Sequence, residues 1–333
     1  MATSNVSGPT KERFQKSYEI RRAFKDAVQC PPEVPGVRGA IDVHCHADQG
    51  HQDGLALAKH ASQNGMGGIL FKSIVGGPQA VKKIQENVNR FADEEKLEPV
   101  QCWAGYVIRE TKAPSLDAIR SRLSPEVVAI WMPVALHANT LSKVGGRKIW
   151  WDPTASRNEL TPPLPWEEAL KVGHYLLDEK GNLKPLIRDI MHLGADAGKA
   201  FFFGHATHGE IFAMAEEVEK IGFKRAVVDH PFSPFVDLSI EQMKLLANVG
   251  IYLNFTYDEL SPLLGIDPHT MYQAIRAIGV EHAVLSSDAG EPLFPNTVEA
   301  IRLMRAYMRA FGLNDDEIHR ISTVNPAAIV GIN

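Results

Sequence analysis

Residues 41–48 read IDVHCHAD, an apolar run that closes on two histidines spaced two apart, His44 and His46. The run predicts a buried strand. Alternation along it places both imidazoles on one face, and Cys45 points the other way as a small buried packing residue. Seven more such runs follow, at 67–73 (GGILFKS), 100–108 (VQCWAGYVI), 127–136 (VVAIWMPVAL), 200–205 (AFFFGH), 225–230 (RAVVDH), 250–255 (GIYLNF) and 282–288 (HAVLSSD). Between them lie helical stretches such as 53–64, 78–95 and 208–222. Strands alternating with helices make a parallel sheet of βα units, and eight units close a barrel. The 246 residues from Asp42 to Asp288 give about 35 per strand-to-strand step, matching the ~30 or more of a βαβ unit.

The expected fold class is α/β: a TIM-like (β/α)8 barrel with an N-terminal helix and an insertion after strand 4. An open doubly wound sheet is the alternative. It would lead with a Gly-rich turn after its first strand, but GMGG at 65–68 precedes its strand and VGGP at 75–78 is only a weak anion nest. Residues 1–38 form an N-terminal helical extension, a charged amphipathic helix over 11–29 ended by PPEVPG. Residues 39–333 form one barrel domain. Its insertion, about 138–185, carries GGRKIWWDP and LTPPLPWEE and is expected to fold over the barrel mouth as a lid or contact surface. The C-terminal segment from residue 296 supplies the eighth helix and a closing one.

Composition narrows the function. A chain of 333 residues, 44% hydrophobic and 23% charged, can bury one large core. Its net charge of −5 and intermixed signs leave no basic stripe for nucleic acid. Three cysteines without CxxC spacing give neither a disulfide framework nor a thiolate zinc site and fit a reducing, cytoplasmic setting. No apolar stretch reaches membrane-spanning length, so no membrane partner is expected. The aromatic and Pro-rich part of the insertion, 147–166, is a candidate surface for a homo-oligomer.

The chemistry gathers at strand ends. In a barrel the C-terminal ends of the strands form the active-site face, and His44 and His46 end the first run there. Two readings of the pair stand: local hydrogen bonding, or a metal site, since imidazole suits borderline divalent ions. His205, His230 and Asp288 end the fifth, sixth and eighth runs, 25 and 58 residues apart, one and two βα units. Four imidazoles and a carboxylate crowded into an apolar mouth call for a cation.

This order resembles the amidohydrolase superfamily of metal-dependent (β/α)8 enzymes, over about residues 39–332 and including the ending TVNPAAIVGI. GILFKSIVGGP, WMPVALHA, GHATHGE, VDHPF and LSSDAGEP look most like a poorly characterised amidohydrolase-related group. The resemblance implies His44, His46, His205, His230 and Asp288 as metal ligands, with Asp288 as proton shuttle. One part departs from it: many binuclear members carry a bridging carboxylated lysine or glutamate on strand 4, and VVAIWMPVALHA has neither.

Lys72, ending strand 2, is the nearest substitute. Three readings stand: a carbamate bridge between metals, a cation binding an anionic substrate group, or a rim lysine with its charge in water. His137 is a candidate for polarising a substrate carbonyl, or a loop histidine. His208, with Glu210, is a candidate orienter of His205 and pocket residue, or a helix-capping or surface group. Arg109 is a candidate carboxylate or phosphate clamp, or a rim ion pair. Asn254 and Tyr257 are candidates for shaping the pocket, and Trp131 for core packing. The expected function is a metal-dependent hydrolase acting on an amide, lactone or ester of a small molecule. One or two divalent ions are expected, zinc first, with manganese, iron or nickel as alternatives. A decarboxylase or hydratase on the same barrel is the alternative, and a phosphoester hydrolase a weaker one.

Overall fold

Eight short parallel strands lie in the order of the chain: β1 (Ile41–Ala47), β2 (Gly68–Ile74), β3 (Gln101–Val107), β4 (Val127–Trp131), β5 (Ala200–Phe202), β6 (Ala226–Asp229), β7 (Tyr252–Thr256) and β8 (Ala283–Ser286). This computed structural model describes residues 36–47, 52–108, 115–148, 152, 154–156, 159–290 and 294–332, with Glu12, Gln15 and Glu19. Of the expected N-terminal helix only those three are described, each helical; the rest of it, with Arg109, lies outside the described residues. The seam between β8 and β1 closes just past β8. There the Asp288 N–H donates to the His44 carbonyl and the His46 N–H to the Ala289 carbonyl, both at 2.8 Å. The structure is thus a TIM-like (β/α)8 barrel, and its closing bonds flank the candidate ligands.

After β1, β2 and β3 come α1 (Gly54–Gln63), α2 (Gly77–Glu95) and α3 (Leu116–Arg120). The segment after β4 holds α4 (Ala138–Lys143), a two-residue antiparallel pair of Gly146–Arg147 with Leu160–Thr161, and α5 (Trp166–Val172). The ring then continues with α6 (Pro185–Asp196), α7 (His208–Ile221), α8 (Ile240–Asn248), α9 (Tyr257–Leu260), α10 (Pro268–Ile278) and α11 (Thr297–Phe311). The chain closes with α12 (Asp315–His319) and α13 (Asn325–Val330).

Burial is two-layered. Ile41, Val43, Leu70, Ala129, Trp131, Phe202, Val227 and Val284 fill the barrel, and α13 adds Ile329 and Val330 to them. Trp131 stacks on Phe202 with ring centroids 4.1 Å apart, and Gly105 makes room for it. A Cβ at Gly105 would lie 2.4 Å from the indole.

Simple alternation fails on β1, with a consequence for the site. Between the pairs Asp42–Ile69 and Cys45–Phe71, β1 has one residue more than β2, and between Cys45–Phe71 and His46–Ser73 the extra residue is on β2. Such bulges shift which face a side chain meets. Ile41 and Val43 therefore pack inside, yet His44 and His46 also face inward, and Cys45 packs against the outer layer. Without the first bulge, the interior apolar pair and the two histidines could not share a face.

Candidate metal centre

His44, His46 and Asp288 form the tightest group. Asp288 Oδ1 lies 3.0 Å from the Nε2 of each histidine, and one ligand atom from each of the three lies within 4.8 Å of the others. Ring centroids run 5.4 Å from His44 to His46, 5.8 Å from His44 to His230 and 4.9 Å from His230 to His205. Five residues from four strand ends thus meet at one mouth, the His44–His46–Asp288 group beside the His205–His230 pair.

The second nitrogen of each imidazole is held from outside. His44 Nδ1 lies 3.2 Å from Asp229 Oδ1. His46 Nδ1 meets Ser73 Oγ at 2.7 Å, His205 Nδ1 meets Thr140 Oγ1 at 2.9 Å, and His230 Nδ1 meets Ser233 Oγ at 3.0 Å. An oxygen partner on Nδ1 fixes the ring and leaves Nε2 to coordinate, which is how protein-bound metals are usually framed. Both nitrogens of His44 are buried without a well-directed hydrogen bond: Nδ1 faces Asp229, and Nε2 faces a carboxylate oxygen of Asp288 that a second imidazole also faces. Three nitrogen and oxygen donors so placed have the chemistry to hold a divalent ion.

Charge at the centre follows from its neighbours. Burial favours a neutral His44, but Asp229 and Asp288 outweigh it and raise its pKa to about 9. Burial pushes His230 down to about 4 and His205 well below its ordinary value. Asp229 and Asp288 stay below the usual carboxylate range: burial opposes their ionisation, and His44 overcomes it at both. Two of the five residues also occupy left-handed backbone, His230 at φ 35° and Asp288 at φ 48°, conformations that cost non-glycine residues energy and gather at functional sites.

Supporting residues came from tertiary structure. Asp229 accepts from Trp131 Nε1 and Asn254 Nδ2, each at 2.7 Å, and Ser286 Oγ donates to Asn254 Oδ1 at 2.7 Å. Gly204 lets β5 pass close by, since a Cβ there would lie 2.5 Å from that of Asp229. Asp42 sits beneath the seam, accepting from the His44 and Ser287 N–H groups and the Ser287 hydroxyl; burial pushes its carboxyl up to about 6. Phe235 walls one side, stacked on His205 at 4.3 Å and edge-on to His230 at 5.2 Å. An acid closing the apolar run of β6 was a legible signal for Asp229; Ser73, Thr140 and Ser233 gave none.

Several candidates are engaged in contacts of their own. His137 is fully buried, its Nδ1 accepts from the Asn139 N–H as the cap of α4, and its Nε2 faces Glu210 Oε1 at 3.2 Å. Glu210 also accepts from the Leu176 N–H, so the pair pins the insertion to the barrel. His208 does not orient His205, a task Thr140 performs. Its Nε2 donates to the Val236 carbonyl at 2.6 Å and its Nδ1 accepts from Gln242, on the outside of the mouth. Asn254 is not a pocket wall but holds Asp229. Tyr257 begins α9 and packs toward Phe294, ring centroids 6.2 Å apart. Trp131 is core, as expected, and a donor to the centre as well. Lys72 is no rim residue, being 5% exposed.

No curated protein matches the chain significantly. Among solved structures the chain is similar to an amidohydrolase from Pseudomonas aeruginosa, with 12% identity, 87% of this chain and 95% of that one covered, and a TM-score of 0.54. It is similar to a TatD homologue from Escherichia coli K12, at 16% identity, 89% and 100% coverage and a TM-score of 0.53. A dihydroorotase gives 15% identity, 89% and 83% coverage and a TM-score of 0.51. At these identities the likeness is one of fold, that of the amidohydrolase-type barrels. The model of a family of unknown function, DUF6282, matches residues 39–254, a span that carries β1 to β6 and four of the five converging residues. By that match, the chain belongs to the DUF6282 family.

Proposed function

We propose that the protein is a metal-dependent hydrolase that cleaves an amide, lactone or ester bond of a small molecule. The observation that carries this reading is the set of four strand-end imidazoles gathered beside Asp288, three of them hydrogen-bonded at Nδ1 to a hydroxyl and the fourth, His44, facing Asp229 there. His44, His46, His205, His230 and Asp288 are the proposed ligands, with zinc the first candidate and one or two ions per chain. A bound divalent ion supplies Lewis acidity and an acidified water at neutral pH.

The chain's own residues do the rest. Asp229, Ser73, Thr140 and Ser233 hold the imidazoles in register, so little reorganisation is needed when charge develops. Asp288, with its carboxylate ionised, accepts the proton of the attacking water and returns it to the leaving oxygen or nitrogen. Phe235 shields His205 and His230 from solvent. No helix among the described residues is long and apolar enough to cross a membrane, and a small-molecule substrate in the cytoplasm, without a nucleic-acid partner, is part of the proposal.

Elemental analysis of protein purified without added metal, with a turnover screen of amides, lactones and esters, tests the reading. One or two equivalents of zinc, manganese, iron or nickel with hydrolysis of one class support it; metal-free protein that takes up none of these ions refutes it. A lyase is the second reading, favoured by Lys72 as a cation close to the centre, and release of CO₂ without incorporation of water identifies it.

Metal affinity should depend on pH. His44, at about 9 in the metal-free protein, is protonated below that pH, and a metal on its Nε2 must displace the proton. Affinity therefore falls as pH falls below 9, about tenfold from pH 8 to pH 7 for one displaced proton. Chelator competition at the two pH values measures this, and equal affinities would show that no proton leaves His44 when the ion binds.

A further inference from the structure

Lys72 is 5% exposed, and among the described residues its ammonium has no hydrogen-bond or ion-pair partner. A cation so little exposed and without a carboxylate on it is placed to receive an incoming anion. The extra residue of β2 explains its position: Phe71 and Ile74 pack toward the helices, and of the two residues between them Ser73 meets His46 while the charge of Lys72 reaches His44, His205, Asp229 and His230.

The carboxylates nearby are already engaged. Asp229 is taken by Trp131, Asn254 and His44, and Asp288 by His44 and His46. A divalent ion at the centre adds to the positive charge of Lys72, and neither Asp229 nor Asp288 is free to pair with the ammonium.

We propose that Lys72 anchors a carboxylate of the substrate beside the metal centre, so that the molecules acted on are carboxylic acids bearing the scissile bond elsewhere. A lone ammonium is a point charge with three donors, suited to one carboxylate. As a statement about the reaction this rests on the hydrolase reading; as a statement about binding it stands by itself.

Calorimetric titration of the zinc-loaded, full-length protein with succinate and with succinamic acid tests it. Both probes present a carboxylate to the metal, and only succinate offers a second to Lys72. Succinate is expected to bind about tenfold or more tightly than succinamic acid, and Lys72→Met, which keeps the side-chain volume and removes the charge, is expected to abolish the difference with the zinc content unchanged. Lys72→Arg should restore part of it.

Failure of the wild type to bind succinate, equal affinity for the two probes, or a difference that survives Lys72→Met overturns the anchor. So does loss of zinc from Lys72→Met, or a carbamate carbon on Lys72 detected by ¹³C NMR after incubation with labelled bicarbonate, since either makes it a metal ligand. A protein that discriminates the probes as expected yet hydrolyses no amide, ester or lactone keeps the anchor and loses the hydrolase reading. Hydrolysis without discrimination does the reverse.

Discussion

Replacing Asp288 by asparagine is expected to lower hydrolytic turnover by about 10² to 10⁴-fold, the usual worth of a positioned proton carrier, while the protein stays folded and metal-bound. Asp288 Oδ1 stands 3.0 Å from two imidazole nitrogens, and its carboxyl is held ionised at neutral pH chiefly by His44 against the effect of burial. An amide of the same shape keeps an oxygen for the ion but cannot accept the proton of an attacking water. The backbone should tolerate the change, since asparagine is among the residues that best accept the left-handed conformation found here, φ 48°. Turnover and metal content measured on the same preparation decide the matter. A variant that retains its metal and its rate would remove Asp288 from the chemistry.

The second large effect is on binding. Asp229→Asn should weaken metal affinity by about 10 to 100-fold, the scale found when a group that orients a ligating histidine is lost. Asp229 faces three donors, the Trp131 indole N–H, the Asn254 amide and His44 Nδ1. Asparagine offers one oxygen and one NH₂ group. With the oxygen toward Trp131, the NH₂ opposes Asn254 and His44; with it turned the other way, the NH₂ opposes the indole. Either way two donors meet in a site that is fully buried, at a cost of about 1–3 kcal/mol in the stability of the metal-free protein. Chelator competition reads the affinity and thermal unfolding the stability. Unchanged affinity would mean that the orientation of His44 does not depend on this carboxylate.

Both effects depend on contacts of very different legibility. Asp288 ends an apolar run, as do His205 and His230, and a strand end in a barrel is a place that periodicity alone identifies. Asp229 lies one residue before a proposed ligand, yet its function is set by partners 98 positions away at Trp131 and 185 away at His44. His137 shows the opposite case. It follows the fourth strand, where an inward-facing histidine would meet substrate, but α4 begins there and turns the ring into Glu210 and the Asn139 N–H.

The amino-acid order determined the eight alternating runs, their closure into a barrel and the strand ends where five ligand-type residues stand, because apolar periodicity and chain length between runs are local quantities that hold whatever the neighbours are. Tertiary structure decided which side chain meets which: the bulges that turn both histidines of β1 inward, the hydroxyls behind three imidazoles, and the burial of Lys72 without a partner. Those outcomes depend on strand register and on how close one backbone comes to another, and a one-residue shift in pairing, invisible in composition or spacing, is enough to change them.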